Sequence, residues 1–272
     1  MRVAVCQMRS GADTDANLAL AERLLHEAAD GGADLAMLPE YATYLGPSEG
    51  VAARAEAVPG GSASDRLAAL AADRQIWVLG GTLFEASGGD VFDTAPLFAR
   101  DGELAAKYRK IHLFDAELSG QAPNRESSAF AAGHELVTHQ TDFARVGLSV
   151  CYDVRFPEMY RALMALGAEI MLVPAQFQAV TGEAHWHVLL RARAIENQCF
   201  VVASAQWGTF GRAGAGRRSF GHSMIVDPWG RVLVEAPDEG DGVWFADLDM
   251  GELRRVRTSL PALQHRRLGL VC

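Results

Sequence analysis

The chain has 272 residues, of which 49% are hydrophobic and 22% are charged, and its formal net charge is −9. This composition is that of an ordinary globular protein and excludes the disordered and collagen-like classes. The acidic balance argues against nucleic acid as a partner, because a protein that binds the phosphate backbone needs a basic surface.

The chain shows no sequence feature of a secreted or membrane protein. Polar residues from Gln7 onward interrupt the first apolar segment, which is too short for a signal-peptide core, and no later stretch approaches the roughly 18 apolar residues of a membrane span. The cysteines lie far apart and include no C-x-x-C pair, so they indicate neither a disulfide framework nor a zinc site; they are Cys6, Cys151, Cys199 and Cys272. We therefore expect a cytoplasmic protein without a membrane partner.

Strands and helices alternate along the chain. Apolar residues at helical spacing predict a helix over 17–30, with Thr14 or Asp15 as its cap, between strands near Val5 and over 35–38. The same alternation predicts helices over 64–73, 159–166 and 184–197, and strands over 76–80, 146–150, 170–173 and 199–205.

Turn sequences add antiparallel pairs to this pattern. Asp101-Gly102 predicts a hairpin between 95–99 and 103–106, and the turn 227–230 predicts one between 219–226 and 231–235. We therefore predict an α/β protein with mixed sheets. The sequence has no linker or repeat, so we expect one domain over 1–272, in which the irregular stretch 115–135 is a long functional loop.

Cys151 is a candidate nucleophile because it follows the predicted buried strand 146–150 at a turn toward a helix. Enzymes of the α/β class place nucleophiles at such turns, where backbone N–H groups face a developing oxyanion. The alternative is a buried structural cysteine. We assign that structural role to Cys6 and Cys199, which lie inside predicted strands.

A cysteine nucleophile needs a base and a group that stabilises the oxyanion. Glu40 ends the apolar run 35–40, where an apolar setting would raise its pKa toward the working range, and its alternative is a solvated surface glutamate. The basic cluster Lys107, Arg109 and Lys110 offers a cation for the oxyanion. Spacing alone does not choose among the three.

Other motifs are weaker. His112 would allow a Cys-His hydrolase, but the chain lacks the sequence around the papain-type cysteine. His185 and His187, two apart on a predicted helix, lie on different faces, which argues against a shared metal. The glycine-rich segment 211–218 lacks the Lys-Ser/Thr ending of a phosphate-binding loop, and we interpret it as a mobile basic loop.

Three segments in order resemble the Glu, Lys and Cys motifs of the nitrilase superfamily of carbon–nitrogen hydrolases: 38–40, 108–115 and 150–158. Segments 181–186, 191–198, 221–230 and 264–267 extend the resemblance over nearly the whole chain. It implies a four-layer α-β-β-α sandwich in which Cys151 is the nucleophile, Glu40 the general base and Lys110 the oxyanion stabiliser. It further implies that Glu126 orients the lysine and the substrate.

Within this superfamily, segments 120–127 and 184–198 look closest to the branch called deaminated glutathione amidase. The resemblance implies an amidase that needs no cofactor or metal and acts on a small carboxylated amide, expected to be deaminated glutathione, through a cysteine thioester. An ω-amidase acting on 2-oxoglutaramate-like amides and a catalytically silent scaffold of the same fold remain alternatives. Gln176 and Glu183 depart from the family's usual P-x-A-F and T-G-P-A patterns and leave the substrate open.

The expected substrate-binding residues surround Cys151 and follow strand 170–173; they are Tyr152, Arg155, Phe177 and Thr181. Tyr152 would give its N–H to the oxyanion, and Arg155 and Thr181 would bind the substrate carboxylate. Arg155 in an ion pair with Asp153 or Glu158, and Thr181 as a helix cap, remain alternatives. The resemblance also implies a homodimer or larger homo-oligomer built through the helix after Cys151 and the C-terminal segment.

Overall fold

The computed structural model describes residues 1–118, 123–210 and 217–268. Its helices are α1 (Thr14–Asp30), α2 (Ser62–Arg74), α3 (Pro157–Ala165), α4 (Ala179–Asn197) and α5 (Met250–Ser259). Its strands are β1 (Arg2–Gln7), β2 (Leu35–Met37), β3 (Trp77–Leu79), β4 (Leu83–Ser87), β5 (Asp90–Phe98), β6 (Leu104–Arg109), β7 (Asp115–Ala116), β8 (Asn124–Arg125), β9 (Thr138–Gln140), β10 (Arg145–Leu148), β11 (Ile170–Ala175), β12 (Phe200–Ala205), β13 (Trp207–Phe210), β14 (Arg217–Phe220), β15 (Met224–Val226), β16 (Val232–Glu235) and β17 (Gly242–Asp247).

None of the helices in these ranges has the length and apolar character needed to cross a bilayer.

Two mixed sheets form the centre of the molecule. The first has the order β17-β1-β2-β3-β5-β4, with β6 also paired to β5, and the second has the order β16-β15-β12-β11-β10-β9. β1, β2 and β3 are parallel, as are β10, β11 and β12, and the strands at the margins are antiparallel. The predicted mixed α/β class is confirmed.

Successive side chains along the strands of the first sheet point to opposite faces and pack in two different hydrophobic cores. Val3 and Val5 of β1 face the second sheet and pack in the same core as its residues, whereas Ala4 and Cys6 face α1 and α2. Residues of α3 and α4 cover the other face of the second sheet. The layers therefore follow the order helices, sheet, sheet, helices, as the resemblance implied.

Strand direction brings the functional segments to one edge. β5 is antiparallel to both β3 and β6, so β6 runs the same way as β2, and the segments that leave β2 and β6 lie at the same edge of the sheet. The two sheets are tied together there, because Ser204 Oγ donates to the carbonyl of Met37 (2.7 Å) and Gln206 Nε2 donates to that of Glu40 (2.9 Å).

The structure corrects two predicted boundaries. α4 begins at Ala179 and not at 184, and Gly182 lies inside the helix. A glycine is needed there because a Cβ at this position would lie 2.3 Å from the ring of Phe220. The predicted strand 219–226 is two strands, β14 and β15, because Gly221 (φ 73°) and His222 (φ 56°) break the extended backbone.

The cap of the first helix is Asp13 and not Thr14 or Asp15, since its side chain accepts a hydrogen bond from the backbone N–H of Ala16. Both predicted hairpins are confirmed, as β5–β6 and β15–β16. β4, β17 and α5 were not predicted.

Candidate active site

Cys151 lies at a strained turn directly after the second sheet. Its φ of 44° is left-handed, a region that residues other than glycine rarely occupy, and it begins a 3₁₀ turn, Cys151–Arg155. Buried Asp153 fixes this turn: one carboxylate oxygen accepts from the N–H of Val150 (2.8 Å) and from the hydroxyl of Tyr108 on β6 (2.7 Å). The thiol is thereby held between the two sheets.

Lys110 is the centre of the buried charges. It directly follows β6, and its Nζ donates to Glu40 Oε1 (2.7 Å) and to Glu126 Oε1 and Oε2 (2.7 and 2.9 Å). All three side chains are almost completely buried. Burial lowers the pKa of Lys110, but the charges of Glu126 and Glu40 outweigh it and raise the pKa well above the ordinary value. The lysine is therefore a permanent cation in a dry site.

Glu40 connects the cation to the thiol. Its Oε2 accepts from the N–H of Gln176 (2.6 Å), the residue that directly follows β11, and its negative charge acts on the thiol of Cys151. Burial raises the pKa of Glu40, the charge of Lys110 opposes this rise, and Glu126 adds to it. A carboxylate in this setting suits a general base.

Burial raises the pKa of the Cys151 thiol well above the ordinary value. The negative charge of Glu40 raises this pKa further, against the opposing charge of Lys110. The thiol also contacts the carbonyl of Gln176 (Sγ to O, 3.6 Å). Such a thiol reacts only as it passes its proton to a neighbouring base, so rapid labelling of a resting thiolate is not expected.

Glu126 belongs to the 3₁₀ turn Glu126–Ser128 within the predicted loop 115–135. Besides the two contacts with Lys110, its carboxylate accepts from the hydroxyl of Tyr41 (2.7 Å) and from the N–H of Phe114. Four hydrogen bonds from three donors fix this carboxylate in place. Its position fits a group that orients Lys110.

Asp93 is a buried carboxyl that sequence reasoning missed. It is fully buried on β5, its Oδ2 lies 3.9 Å from Lys110 Nζ, and neither carboxyl oxygen has a hydrogen-bonding partner within the described residues. Burial raises its pKa well above the ordinary value, and the charge of Glu40 adds to the rise. The raised pKa favours the neutral form of Asp93, because a single cation, Lys110, faces three buried carboxyls. Its sequence context, inside an ordinary strand, carried no signal.

The three carboxyls could be taken for a metal site, since Glu40, Asp93 and Glu126 offer oxygen atoms within 4.8 Å of one another. The ammonium of Lys110 lies among these oxygens. It supplies the positive charge that a metal ion would otherwise bring.

A cavity of about 420 Å³ opens above these groups. Glu40, Lys110, Glu126, Cys151 and Gln176 line its polar side. The rest of the wall includes aromatic and basic side chains: Tyr41, Tyr44, Phe84, Phe114, Phe130, Arg125 and Arg217. The roles of these residues in the cavity were not predicted, because they come from segments that are distant in sequence and only the fold brings them together.

The four predicted substrate-binding residues do not line this cavity. The Arg155 guanidinium lies over the ring of Phe177 (4.9 Å) and forms a hydrogen bond with His185 Nδ1 (3.0 Å). Tyr152 lies beside the same guanidinium (5.8 Å), and Thr181 donates to the carbonyl of Gln178 (3.2 Å) in the first turn of α4.

The structure shows neither the ion pair considered for Arg155 nor the helix cap considered for Thr181. Across the described residues, no ion pair joins Arg155 to a carboxylate, so its alternative with Asp153 or Glu158 is wrong. The helix cap is Gln178 and not Thr181.

The competing histidine scheme has no support in the geometry. His112 Nδ1 is paired with Asp153 Oδ1 (2.7 Å), and its ring stacks on Phe156 at 3.6 Å. His112 is also missing from the residues that line the cavity in the described part of the chain. Of the predicted basic loop 211–218, only Arg217 and Arg218 belong to the described residues. Residues 120–122 of the motif 120–127 and Cys272 also lie outside them.

A family model described as carbon–nitrogen hydrolase matches residues 2–258. A deaminated glutathione amidase from Bos taurus is 42% identical over 276 residues, which cover 98% of this chain and 82% of that protein. An omega-amidase from Mus musculus is 35% identical over 274 residues, which cover 99% of this chain and 96% of that protein.

Among solved structures, an amidase of the nitrilase superfamily from Nesterenkonia sp. AN1 superposes with a TM-score of 0.79 at 30% identity. The match covers 97% of this chain and 99% of that chain, and that structure shows acrylamide added at the active-site cysteine.

Proposed function

The chain belongs to the carbon–nitrogen hydrolase family, and from this membership we propose that it is an amidase for small carboxylated amides, with deaminated glutathione as its physiological substrate. The observation that carries the proposal is one cavity in which the thiol of Cys151, the carboxylate of Glu40 and the ammonium of Lys110 meet. A nucleophile, a base and a fixed cation are the groups that acyl transfer requires.

In the first half-reaction, Cys151 Sγ attacks the amide carbonyl carbon as Glu40 accepts the thiol proton. The carbonyl electrons move to oxygen, and Lys110, which lines the cavity, stabilises this oxyanion. Glu40 then passes its proton to the departing nitrogen, the C–N bond breaks, and a thioester remains.

In the second half-reaction, Glu40 takes a proton from water, and the resulting hydroxide attacks the thioester carbonyl. The C–S bond breaks, the acid leaves, and the sulfur recovers a proton from Glu40. Glu126 acts in both halves by holding Lys110, whose Nζ it contacts through both oxygens. Forming a covalent intermediate divides one difficult step into two easier ones.

The cavity supports a carboxylated substrate. Arg125 and Arg217 line it, and Arg217 Nη1 is positioned by a hydrogen bond to Asn124 Oδ1 (3.1 Å). Guanidinium groups recognise carboxylates by paired hydrogen bonds. We therefore transfer the expected carboxylate recognition from Arg155 and Thr181 to these two arginines.

The test is amine or ammonia release from deaminated glutathione, from 2-oxoglutaramate, and from a form of each in which the carboxylate is amidated. We expect amidation to lower kcat/KM by a factor equivalent to about 2 kcal/mol or more, because the charged contact between the substrate and the cavity arginines is lost. Arg217→Met should remove most of this discrimination, whereas the matched change Arg155→Met should preserve it. Equal turnover of the charged and amidated forms would contradict the carboxylate proposal.

The same panel separates the alternatives. A higher kcat/KM for 2-oxoglutaramate than for deaminated glutathione would favour an ω-amidase, the activity named for the mouse relative. A silent scaffold would release no amine from any member. Cys151→Ala should abolish turnover while the circular dichroism spectrum stays unchanged, and retention of more than a few per cent of activity would remove Cys151 from the mechanism.

We further propose that the protein forms a homodimer through α3, α4 and the segment after α5. Apolar side chains are exposed there: Leu166, Val188, Ile195, Trp229 and Leu260, each exposed by 48 to 66%. Ile195 lies next to the turn at Gly230, and Gln198 donates to the carbonyl of Leu260, so these positions form one surface. Large exposed apolar surfaces commonly mark protein interfaces.

We also propose that residues 1–272 form a single hydrolase domain in the cytoplasm. The family match over 2–258 and the core shared by both sheets support one domain. Three free, buried cysteines, Cys6, Cys151 and Cys199, suit a reducing compartment.

A further inference from the structure

A second cluster of chemically active side chains lies outside the cavity. His187 projects from α4, His222 lies in the bend between β14 and β15, and Glu235 ends β16. One oxygen of Glu235, Oε1, faces both imidazoles: it lies 2.8 Å from His187 Nε2 and 2.6 Å from His222 Nδ1. The three donor atoms all lie within 4.8 Å of one another.

This spacing is close to that of a metal-ligand set. Tetrahedral Zn²⁺ with bonds of about 2.0–2.1 Å separates neighbouring ligand atoms by roughly 3.3 Å. The two imidazole rings meet edge to face at 5.4 Å between centroids, so both nitrogens already point toward the carboxylate oxygen. To admit an ion, the distances from Glu235 Oε1 to the nitrogens of His187 and His222, now 2.8 and 2.6 Å, would lengthen by about 0.5 and 0.7 Å.

The fold holds the ligands in position. Trp186, fully buried beside His187, donates through Nε1 to the carbonyl of His222 (2.9 Å), and the ring of Phe220 packs against His222 (4.4 Å). The left-handed backbone at His222 turns its side chain toward Glu235. Partners of this kind fix the orientation of ligands and strengthen metal sites.

The surroundings of the cluster are also suitable. Glu235 offers a carboxyl oxygen that already faces a ring nitrogen of His187 and one of His222. The side chains of His187, His222 and Glu235 are 36, 23 and 33% exposed, which leaves room for water at the remaining coordination positions. In contrast to the carboxyls of the cavity, this carboxylate forms no ion pair with a lysine or arginine among the described residues.

We propose that His187, His222 and Glu235 form a surface site for a divalent transition-metal ion of the zinc class, with water completing its coordination. Two imidazoles and one carboxylate are ligands that suit Zn²⁺. The ion would join α4 to the β15–β16 hairpin, and since none of its ligands lines the cavity, its effect is on stability and not on the acyl transfer. The sequence alone did not reveal this site, because His222 and Glu235 follow His187 by 35 and 48 residues, and only the fold brings the three together.

The test is calorimetric titration of the full chain with Zn²⁺ after treatment with a chelator. We expect binding of one ion per chain and a higher melting temperature in its presence. His187→Asn and Glu235→Gln should each weaken the binding at least tenfold, while His26→Ala, which removes an exposed imidazole from α1, should leave it unchanged. Melting temperatures without metal identify a variant that is merely misfolded.

Replacing Zn²⁺ by Co²⁺ separates this site from the thiol of the cavity. Ligands of nitrogen and oxygen give a spectrum without the intense near-ultraviolet band of a cobalt–thiolate bond. Unchanged Zn²⁺ affinity in folded His187→Asn and Glu235→Gln, or a thiolate band that accounts for the whole signal, would overturn the proposal.

Discussion

Lys110 differs from its basic neighbours in where its side chain lies. Successive residues of a strand point to opposite faces, so Lys107 and Arg109 share the outer face of β6, and both pair with Glu85. Tyr108 and Lys110 point inward, toward Asp153 and the carboxylates of the cavity. The alternation of the strand, rather than the spacing of the cluster, selects the functional lysine.

We expect Lys110→Met to lower kcat by a hundredfold or more with a small change in KM, because a fixed cation at an oxyanion stabilises the transition state. Steady-state kinetics on the preferred amide provide the measurement. Lys107→Met is the matched control, since Lys107 Nζ donates to the carbonyl of Val58 (2.8 Å) and to Glu85 and does not line the cavity. If Lys107→Met proved as damaging as Lys110→Met, the assignment would be wrong.

The raised pKa of Glu40 predicts the acid side of the pH profile. Glu40 works as a base only when ionised, and burial raises its pKa, so kcat/KM should begin to fall at a pH above the ordinary glutamate value of about 4.3. The measurement is kcat/KM from pH 4 to 8 on a substrate that does not titrate in this range. A profile that stays flat down to pH 4 would show that Glu40 is not the base.

At the scale of elements, one glutamate fixes the hairpins of the first sheet to one another. Glu85 on β4 accepts from Thr94 on β5 (2.8 Å) and from Arg109 on β6 (2.9 and 2.8 Å), with Lys107 adding a further contact. Burial would raise its pKa, but the hydrogen bonds from Arg109, Lys107 and Thr94 outweigh it and lower the pKa to about 2.

This depressed pKa gives a pH-dependent contribution to stability. The stabilisation is complete above the pKa of the unfolded chain, about 4.3, and is lost as the pH falls toward 2. We expect Glu85→Gln to lower the free energy of unfolding by about 1–2 kcal/mol at pH 7. Urea unfolding at pH 7 and at pH 3 should show a smaller difference between the two proteins at pH 3, and a constant difference would contradict the assignment.

The sequence allowed most elements of the two sheets to be predicted because their apolar periodicity is strong. The failures have specific causes. Gly182 gave the signal of a helix boundary but serves close packing against Phe220, and a single glycine, Gly221, was too weak a signal to predict the break before β15. The proposed nucleophile, base and cation came from strand ends and motifs. Asp93, the arginines of the cavity and the cluster at Glu235 were not, because only the tertiary fold brings them to their partners.

At the scale of the molecule, the proposed dimer surface lies on the outer helices of the second sheet. These helices also pack on the sheet that ends in Cys151, since α3 and α4 share its core. Association through this surface would therefore support the layer that positions the nucleophile.

We expect Ile195→Asp to convert the dimer into a monomer, because a charge would be buried in an apolar interface. Sedimentation velocity at micromolar concentration gives the measurement. Leu136→Asp, which places the same charge at an exposed leucine of another surface, should remain dimeric. A wild-type protein that sediments as a monomer at these concentrations would refute the interface.

The burial of the Cys151 thiol also determines how the enzyme responds to oxidants. Peroxides oxidise the thiolate and act on exposed sulfur first, whereas burial raises the pKa of this thiol and only 7% of the residue is exposed. The enzyme without substrate should therefore lose activity to hydrogen peroxide more slowly than free cysteine is oxidised at the same pH. If so, the proposed nucleophile gains its reactivity during turnover and resists oxidation to sulfinic acid between turnovers.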